Sequence, residues 1–298
     1  MSAVPPDGRA ERGVERQGRP RAVGKDRNMD QKPIGVFDSG LGGLTTVREL
    51  IRLLPGEDIV YFGDTGRVPY GSRSKETIRK YARQDVAFLR TFDLKAIVIA
   101  CGTVSTTALD LLARENPIPI LGVVEPAARA AAQATRNHRI GLIGTQATIR
   151  SGAYERYITS ALPEAQIFAR PCPLFVPLVE NGRFHRGDVV IETIVREYLS
   201  PIRDAGVDTL VLGCTHYPLL EEVIGDFMGP DVQLINAGAE GAREVVEKLR
   251  LSDALADRAE GTRRYFVSDR VEDFSRLASI FLRQDVTGDV TQVDIGQF

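Results

Sequence analysis

The sequence predicts an α/β protein: two similar parallel-sheet units of the Rossmann or flavodoxin kind, with an active site in the cleft between them. Three observations lead there. From Pro33 onward, short β-branched apolar runs alternate with longer segments of helical spacing, as parallel strands joined by crossover helices require. The pattern then restarts: "RIGLIGT" (139–145) repeats the character of "PIGVFDS" (33–39), and "DTLVLGCTHYP" (208–218) that of "KAIVIACGTVS" (95–105). Finally, polar and nucleophilic residues collect where the apolar runs end, and open parallel sheets bind ligands beyond the carboxyl ends of their strands.

Taken in order, "IGVFDSG" (34–40) is a strand entering a loop, and "LTTVRELIRLL" (44–54) has helical spacing and stops at Pro55. "DIVYFGD" (58–64) is a strand and "KETIRKYARQDVAFLRTF" (75–92) a long amphipathic helix. "KAIVIAC" (95–101) is a strand again. "STTALDLLARE" (105–115) is a helix with Ser and Thr where an N-cap belongs, and "PILGVVEP" (119–126) is a further strand. After the restart, "VQLINAGAEGAREVVEKLRL" (232–251), "RRYFVSD" (263–269) and "VEDFSRLASIFL" (271–282) return to strand and helix. This last stretch is expected to pack back onto the first unit. The glycine pair Gly35/Gly141 and the cysteine pair Cys101/Cys214 recur at similar offsets, as two units of like topology would produce. The expected division is therefore a disordered tail over 1–32, a first α/β domain over 33–126 plus 236–298, and a second over 127–235.

The totals limit the function classes. The 298 residues, 43% hydrophobic and 26% charged, can bury the cores of two medium domains. A net charge of −2 argues against a dedicated nucleic-acid surface. No apolar run approaches the roughly 18 residues of a membrane span. Three widely spaced cysteines make no disulfide framework and point to a reducing cytoplasm. The segment before Pro33 is charged and rich in Gly and Arg. It cannot bury enough surface to offset its ordering entropy, and it lacks the apolar core of a secretory signal. Met29, just before the first strand, is an expected alternative start.

Five polar clusters fall at strand ends: Asp38 with Ser39; Asp64 with "PYG" (69–71), containing Tyr70 and Gly71; Cys101 with Thr103; Thr145 with Thr148; and Cys214 with Thr215 and His216. A buried cysteine commonly packs as a small hydrophobe. Two of them at matching strand ends ask for more. Structural zinc wants paired ligands such as C-x-x-C, and a redox pair wants a resolving C-x-x-C, neither of which is present. A papain-like pairing of Cys214 with His216 leaves Cys101 unexplained. Two thiols facing one substrate from opposite sides account for both: one removes a proton from a carbon acid while the other delivers one to the opposite face. Asp64 and Cys172, the latter between Pro171 and Pro173, read as structural.

The stretches IGVFDSGLGGLTTVREL (34–50), YFGDTGRVPYGSRS (61–74), IACGTVS (99–105), GVVEP (122–126), IGLIGTQATIRSGAY (140–154), CPLFVPLVENG (172–182) and LVLGCTHYPLL (210–220) carry a resemblance. Together, and in this order, they resemble the glutamate racemases of the aspartate/glutamate racemase superfamily, from about Pro33 to near the C-terminus. The resemblance implies interconversion of L- and D-glutamate with no cofactor and no metal, supplying D-glutamate for peptidoglycan in the cytoplasm. It implies that Cys101 takes the proton from D-glutamate and Cys214 that from L-glutamate. Asp38 would stand beside the first thiol, and Glu180 and His216 beside the second. Substrate contacts would come from Asp38, Ser39, Tyr70, Gly71, Gly102, Thr103, Thr148, Thr215 and His216. A homodimer is a further expectation. The alternatives are an aspartate racemase of the same superfamily and, in another class, a catalytically idle binding protein. One departure stands out. The family pattern Cys-Asn-Thr reads Cys101-Gly102-Thr103 here, which removes a side-chain amide. Losing a hydrogen bond to a charged group costs about 1.5–3 kcal/mol, so lower substrate affinity is expected.

Overall fold

The computed structural model describes residues 30–283, 286 and 290–298. Residues 1–29, with most of the predicted tail and the expected start at Met29, lie outside the described residues. Among the described residues ten strands form two sheets: β1 (Ile34–Asp38), β2 (Ile59–Gly63), β3 (Ala96–Ile99), β4 (Ile120–Gly122), β5 (Arg139–Gly144), β6 (Gln166–Pro171), β7 (Thr209–Leu212), β8 (Gln233–Asn236), β9 (Arg263–Val267) and β10 (Val290–Gln292). The first sheet has the order β10-β9-β2-β1-β3-β4 and the second β6-β5-β7-β8. Every pairing is parallel.

Among the described residues twelve α-helices connect the strands: α1 (Leu44–Leu53), α2 (Lys75–Leu89), α3 (Gly102–Thr107), α4 (Leu109–Glu115), α5 (Val124–Ala134), α6 (Gln146–Ser151), α7 (Ala153–Ala161), α8 (Phe175–Glu180), α9 (Val189–Asp204), α10 (Glu221–Met228), α11 (Ala237–Leu251) and α12 (Val271–Leu282). Helices on both faces bury the central strands completely, so β1 and β2 are apolar without alternation, as a covered parallel sheet requires. β6, an edge strand, stays largely exposed. The final stretch does return to the first unit: β9 pairs with β2 and α12 packs on α1.

The two sheets share a core order. In the first it is β2-β1-β3-β4; in the second β6-β5-β7-β8. Each is the 2-1-3-4 order of a flavodoxin-like sheet, whose switch point lies between its first and third strands. Asp38 ends the first strand of one sheet and Cys101 follows its third. Thr145 and Cys214 follow the first and third of the other.

Two expected elements differ. The helix predicted from Ser105 begins at Gly102, with Cys101 as its N-cap, and breaks at Ala108 into α3 and α4. Ser105 caps nothing, because its hydroxyl donates back to the Ile99 carbonyl at 3.0 Å and pins the end of β3. The strand predicted over 119–126 stops at Gly122, and Val124 opens α5 with Pro126 in its first turn, where a missing N–H costs nothing.

Candidate active site

Cys101 follows β3 at the N-cap position of α3 and lines a cavity whose other wall comes from the second sheet. The thiol is buried and donates to Ser39 Oγ at 3.3 Å. Burial first, and then the Asp38 carboxylate, push it up to about 12; the Ser39 hydroxyl and the Val104 N–H act the other way. At neutral pH Cys101 is therefore a thiol. Asp38 is itself fully buried and accepts the Gly40 N–H at 3.1 Å. Burial raises its carboxyl above the ordinary range, against the pull of the nearby His216 charge.

Cys214 leaves β7 within a tight turn that puts His216 and Tyr217 behind it. Its sulfur lies 4.0 Å from His216 Nδ1, and His216 Nε2 lies 3.0 Å from Glu180 Oε1 at the end of α8. Burial disfavours a charge on the imidazole. The Cys214 sulfur and Glu180 outweigh that penalty and hold His216 up to about 10. A buried imidazolium thus lies between the Glu180 carboxylate and the Cys214 sulfur. The two halves interlock: Thr215 Oγ1 donates to Asp38 Oδ1 at 3.4 Å, and Thr45 Oγ1 donates to the Thr215 carbonyl at 3.0 Å.

Both cysteines line one cavity of about 390 Å3, together with Ser39, Tyr70, Gly71, Gly102, Thr103, Thr215, His216 and Glu180. It is large enough for an amino acid and far too small for a folded partner. Asp38 and Thr148 do not reach its surface. Asp38 acts from beneath Ser39, and Thr148 stands behind Thr145, whose hydroxyl it meets at 3.0 Å. Tyr70 lines the cavity, but its hydroxyl is turned away toward Asp64 and Asp85. Arg67 bonds Asp64 at 2.6 Å and Asp85 at 2.9 Å, both carboxylates being buried. Asp64 thereby fixes the 65–72 loop that presents Tyr70 and Gly71, in keeping with its structural reading. Cys172 contributes to the wall with Pro173, Val176 and Pro177. Among the described residues, no three His, Cys, Asp or Glu side chains converge as metal ligands would.

Thr145 is the functional residue that sequence reasoning underweighted. It caps α6 and lines the cavity, and its hydroxyl meets Thr103 Oγ1 at 2.9 Å, joining the two lobes. The repeat itself held the signal: aligning Gly35 with Gly141 sets Thr145 opposite Ser39. Val176 and Pro177 enter from α8, a segment whose short apolar run gave no sign of its position.

The profile of Asp/Glu/Hydantoin racemases matches residues 34–245. The chain belongs to this family. Among curated members, the glutamate racemase of Geobacter metallireducens is 49% identical over 268 residues, 90% of this chain and 98% of that one. Among solved structures, glutamate racemase isoform RacE1 from Bacillus anthracis superposes with a TM-score of 0.85 at 38% identity, covering 89% of this chain and 98% of the other. The glutamate racemase of Francisella tularensis in complex with D-glutamate gives a TM-score of 0.82 at 35% identity, over 91% of this racemase and all of that chain.

Proposed function

We propose that this racemase interconverts L- and D-glutamate, with Cys101 and Cys214 as the two proton-transferring thiols. The observation that carries the reading is the pair of sulfurs at matching strand ends of two sheets, lining one amino-acid-sized cavity. In the resting form Cys101 carries its proton and Cys214 faces the His216 imidazolium. With Cys214 as the thiolate, this form takes the Cα proton of L-glutamate onto the Cys214 sulfur and delivers the Cys101 proton to the opposite face, giving D-glutamate with Cys214 as thiol and Cys101 as thiolate. The roles are then reversed. Two thiols supply both transfers, so the chemistry calls for no cofactor. The carbanionic transition state is stabilised by hydroxyls and backbone N–H groups already fixed in place, among them Ser39, Thr103 and Thr215. His216 and Glu180 support the second thiol, and Asp38 orients Ser39 and Thr215 around the first. The other contacts come from Tyr70 and Gly71 through their backbone, from Gly102, and from Thr148 through Thr145.

The same reading divides the chain into 33–126 plus 236–298 and 127–235, a division supported by the return of β9 and β10 to the first sheet. The product suits peptidoglycan synthesis in the cytoplasm, where three free thiols remain reduced; no described helix is long and apolar enough to cross a membrane. A homodimer would give twice the chain mass in light scattering, and a single chain mass would contradict it. The function is tested by chiral chromatography of L-glutamate and L-aspartate incubated with enzyme. Glutamate racemisation abolished by Cys101→Ala and by Cys214→Ala is the expected result. Activity confined to aspartate, or a fully active Cys101→Ala variant, would refute the reading.

A further inference from the structure

The phenol of Tyr61 is a buried titratable group that the two proton transfers do not use. It lies in the middle of β2 with no exposed surface, and its ring packs against Phe274 and Tyr265, at centroid distances of 6.2 and 6.4 Å. Phenylalanine would serve that packing as well, and Phe62 stands buried next to it. A hydroxyl taken out of water costs free energy unless it is hydrogen-bonded. The Tyr61 hydroxyl has its partner outside the strand: Oη donates to the Gly40 carbonyl at 2.7 Å, in the loop after β1.

Gly63, the last residue of β2, makes room for this bond. A Cβ there would lie 2.4 Å from the Gly40 carbonyl oxygen and 3.2 Å from Tyr61 Cε1. Gly40 is held on its other sides too. Its N–H donates to Asp38 Oδ2 at 3.1 Å, and a Cβ on it would meet Val68 at 2.8 Å. Ser39 sits between the end of β1 and this fixed glycine, and its Oγ accepts the Cys101 thiol at 3.3 Å. Burial first, and then Asp38 and Cys101, raise the Tyr61 phenol well above its ordinary range, so it keeps its proton and remains a donor.

We propose that Tyr61 is a positioning residue for racemisation: through Gly40 it holds Ser39 Oγ against the Cys101 sulfur. This role rests on the proposed part of Cys101 as a proton-transferring thiol. A misplacement of about 1 Å at a reacting group can cost about 10²-fold in rate, so a bond one residue removed from Ser39 is close enough to matter.

The test is a double-mutant cycle of Tyr61→Phe and Ser39→Ala in the full chain. Values of kcat and KM are measured by chiral chromatography in both directions, under conditions where each variant is folded by circular dichroism. Tyr61→Phe keeps the ring and removes only the donor. It is expected to lower kcat about tenfold with KM changed by less than about threefold, because Ser39 acts in the transition state. On the Ser39→Ala background the same substitution is expected to lower kcat by less than about twofold, since Tyr61 then has nothing to position. A hydroxyl that served stability alone would have the same effect on both backgrounds. If Tyr61→Phe does not fold, Gly63→Ala, which keeps the phenol and displaces the Gly40 carbonyl, takes its place in the cycle with the same expectations. Equal effects on the two backgrounds, an unchanged kcat, or a change confined to KM would each overturn the proposal. Absence of glutamate racemisation in the unaltered chain would overturn the role of Cys101 itself, and is thereby told apart from a failure of Tyr61 alone.

Discussion

His216 carries the asymmetry between the two thiols. One cysteine stands beside a buried carboxylate and the other beside a buried imidazolium, so their surroundings differ although they match in position. His216 is raised from its usual 6.5 to about 10. A raised group is fully protonated in the fold below its unfolded value, and its contribution is lost as pH rises through the folded one. Racemisation is therefore expected to fall as pH rises through about 10, and in His216→Gln this alkaline limb disappears. The same variant should lower kcat/KM by about 10²-fold or more, the usual worth of a positioned acid–base group. The loss must be equal in the two directions, because the enantiomers have equal free energy. An unchanged alkaline limb in His216→Gln would remove His216 from the mechanism. The sequence disclosed the cysteines, because each ends a β-branched run. It did not disclose their different surroundings, because Asp38 and Glu180, which stand beside Cys101 and His216, are remote in sequence from the two cysteines.

Gly102 decides how closely the elements approach. It opens α3, and a Cβ there would lie 2.5 Å from the Gly213 carbonyl at the end of β7. Its backbone is not in the left-handed region, so close approach, and not conformational freedom, calls for glycine. The sequence reading counted a missing amide; the structure adds that any side chain would force the two lobes apart. Gly42 faces the same constraint, since a Cβ there would strike the side chains of Thr215 and His216. Gly102→Asn is thus expected to raise KM for glutamate instead of restoring a contact. Steady-state kinetics check this, and a lowered KM would show that the lobes yield. A second expectation concerns the loop carrying Tyr70 and Gly71. Burial first, and then Asp64, raise the Asp85 carboxyl well above its ordinary range, toward its protonated form. Asp85→Asn should cost less than about 1.5 kcal/mol, as one neutral hydrogen-bonding group replaces another. Arg67→Leu strands Asp64 among buried groups and should cost about 3–5 kcal/mol, read by denaturant unfolding. Equal losses in the two variants would contradict an Asp85 carboxyl raised toward its protonated form. None of this network was visible in the sequence beyond Asp64, because Arg67, Asp85 and Ser268 meet only through the packing of α2 and β9.

At the scale of the whole molecule, one topology used twice builds the site. Its legibility was high wherever strands are buried on both faces, as at 34–38, 96–99 and 209–212, since a continuous apolar run has few other readings. It was low between 153 and 180, where β6 is an exposed edge and α7 and α8 lack side-chain caps. The repeat made the site a cleft with a thiol on each wall, and the consequence is a proton that leaves from one wall and arrives from the other. The most direct test is L-glutamate in heavy water, sampled at low conversion by chiral separation and mass spectrometry. Thiol hydrogens exchange with solvent, so two walls require D-glutamate carrying deuterium at Cα while the remaining L-glutamate keeps its hydrogen. D-glutamate that retains the original hydrogen, or L-glutamate that exchanges faster than it racemises, would contradict two opposed thiols.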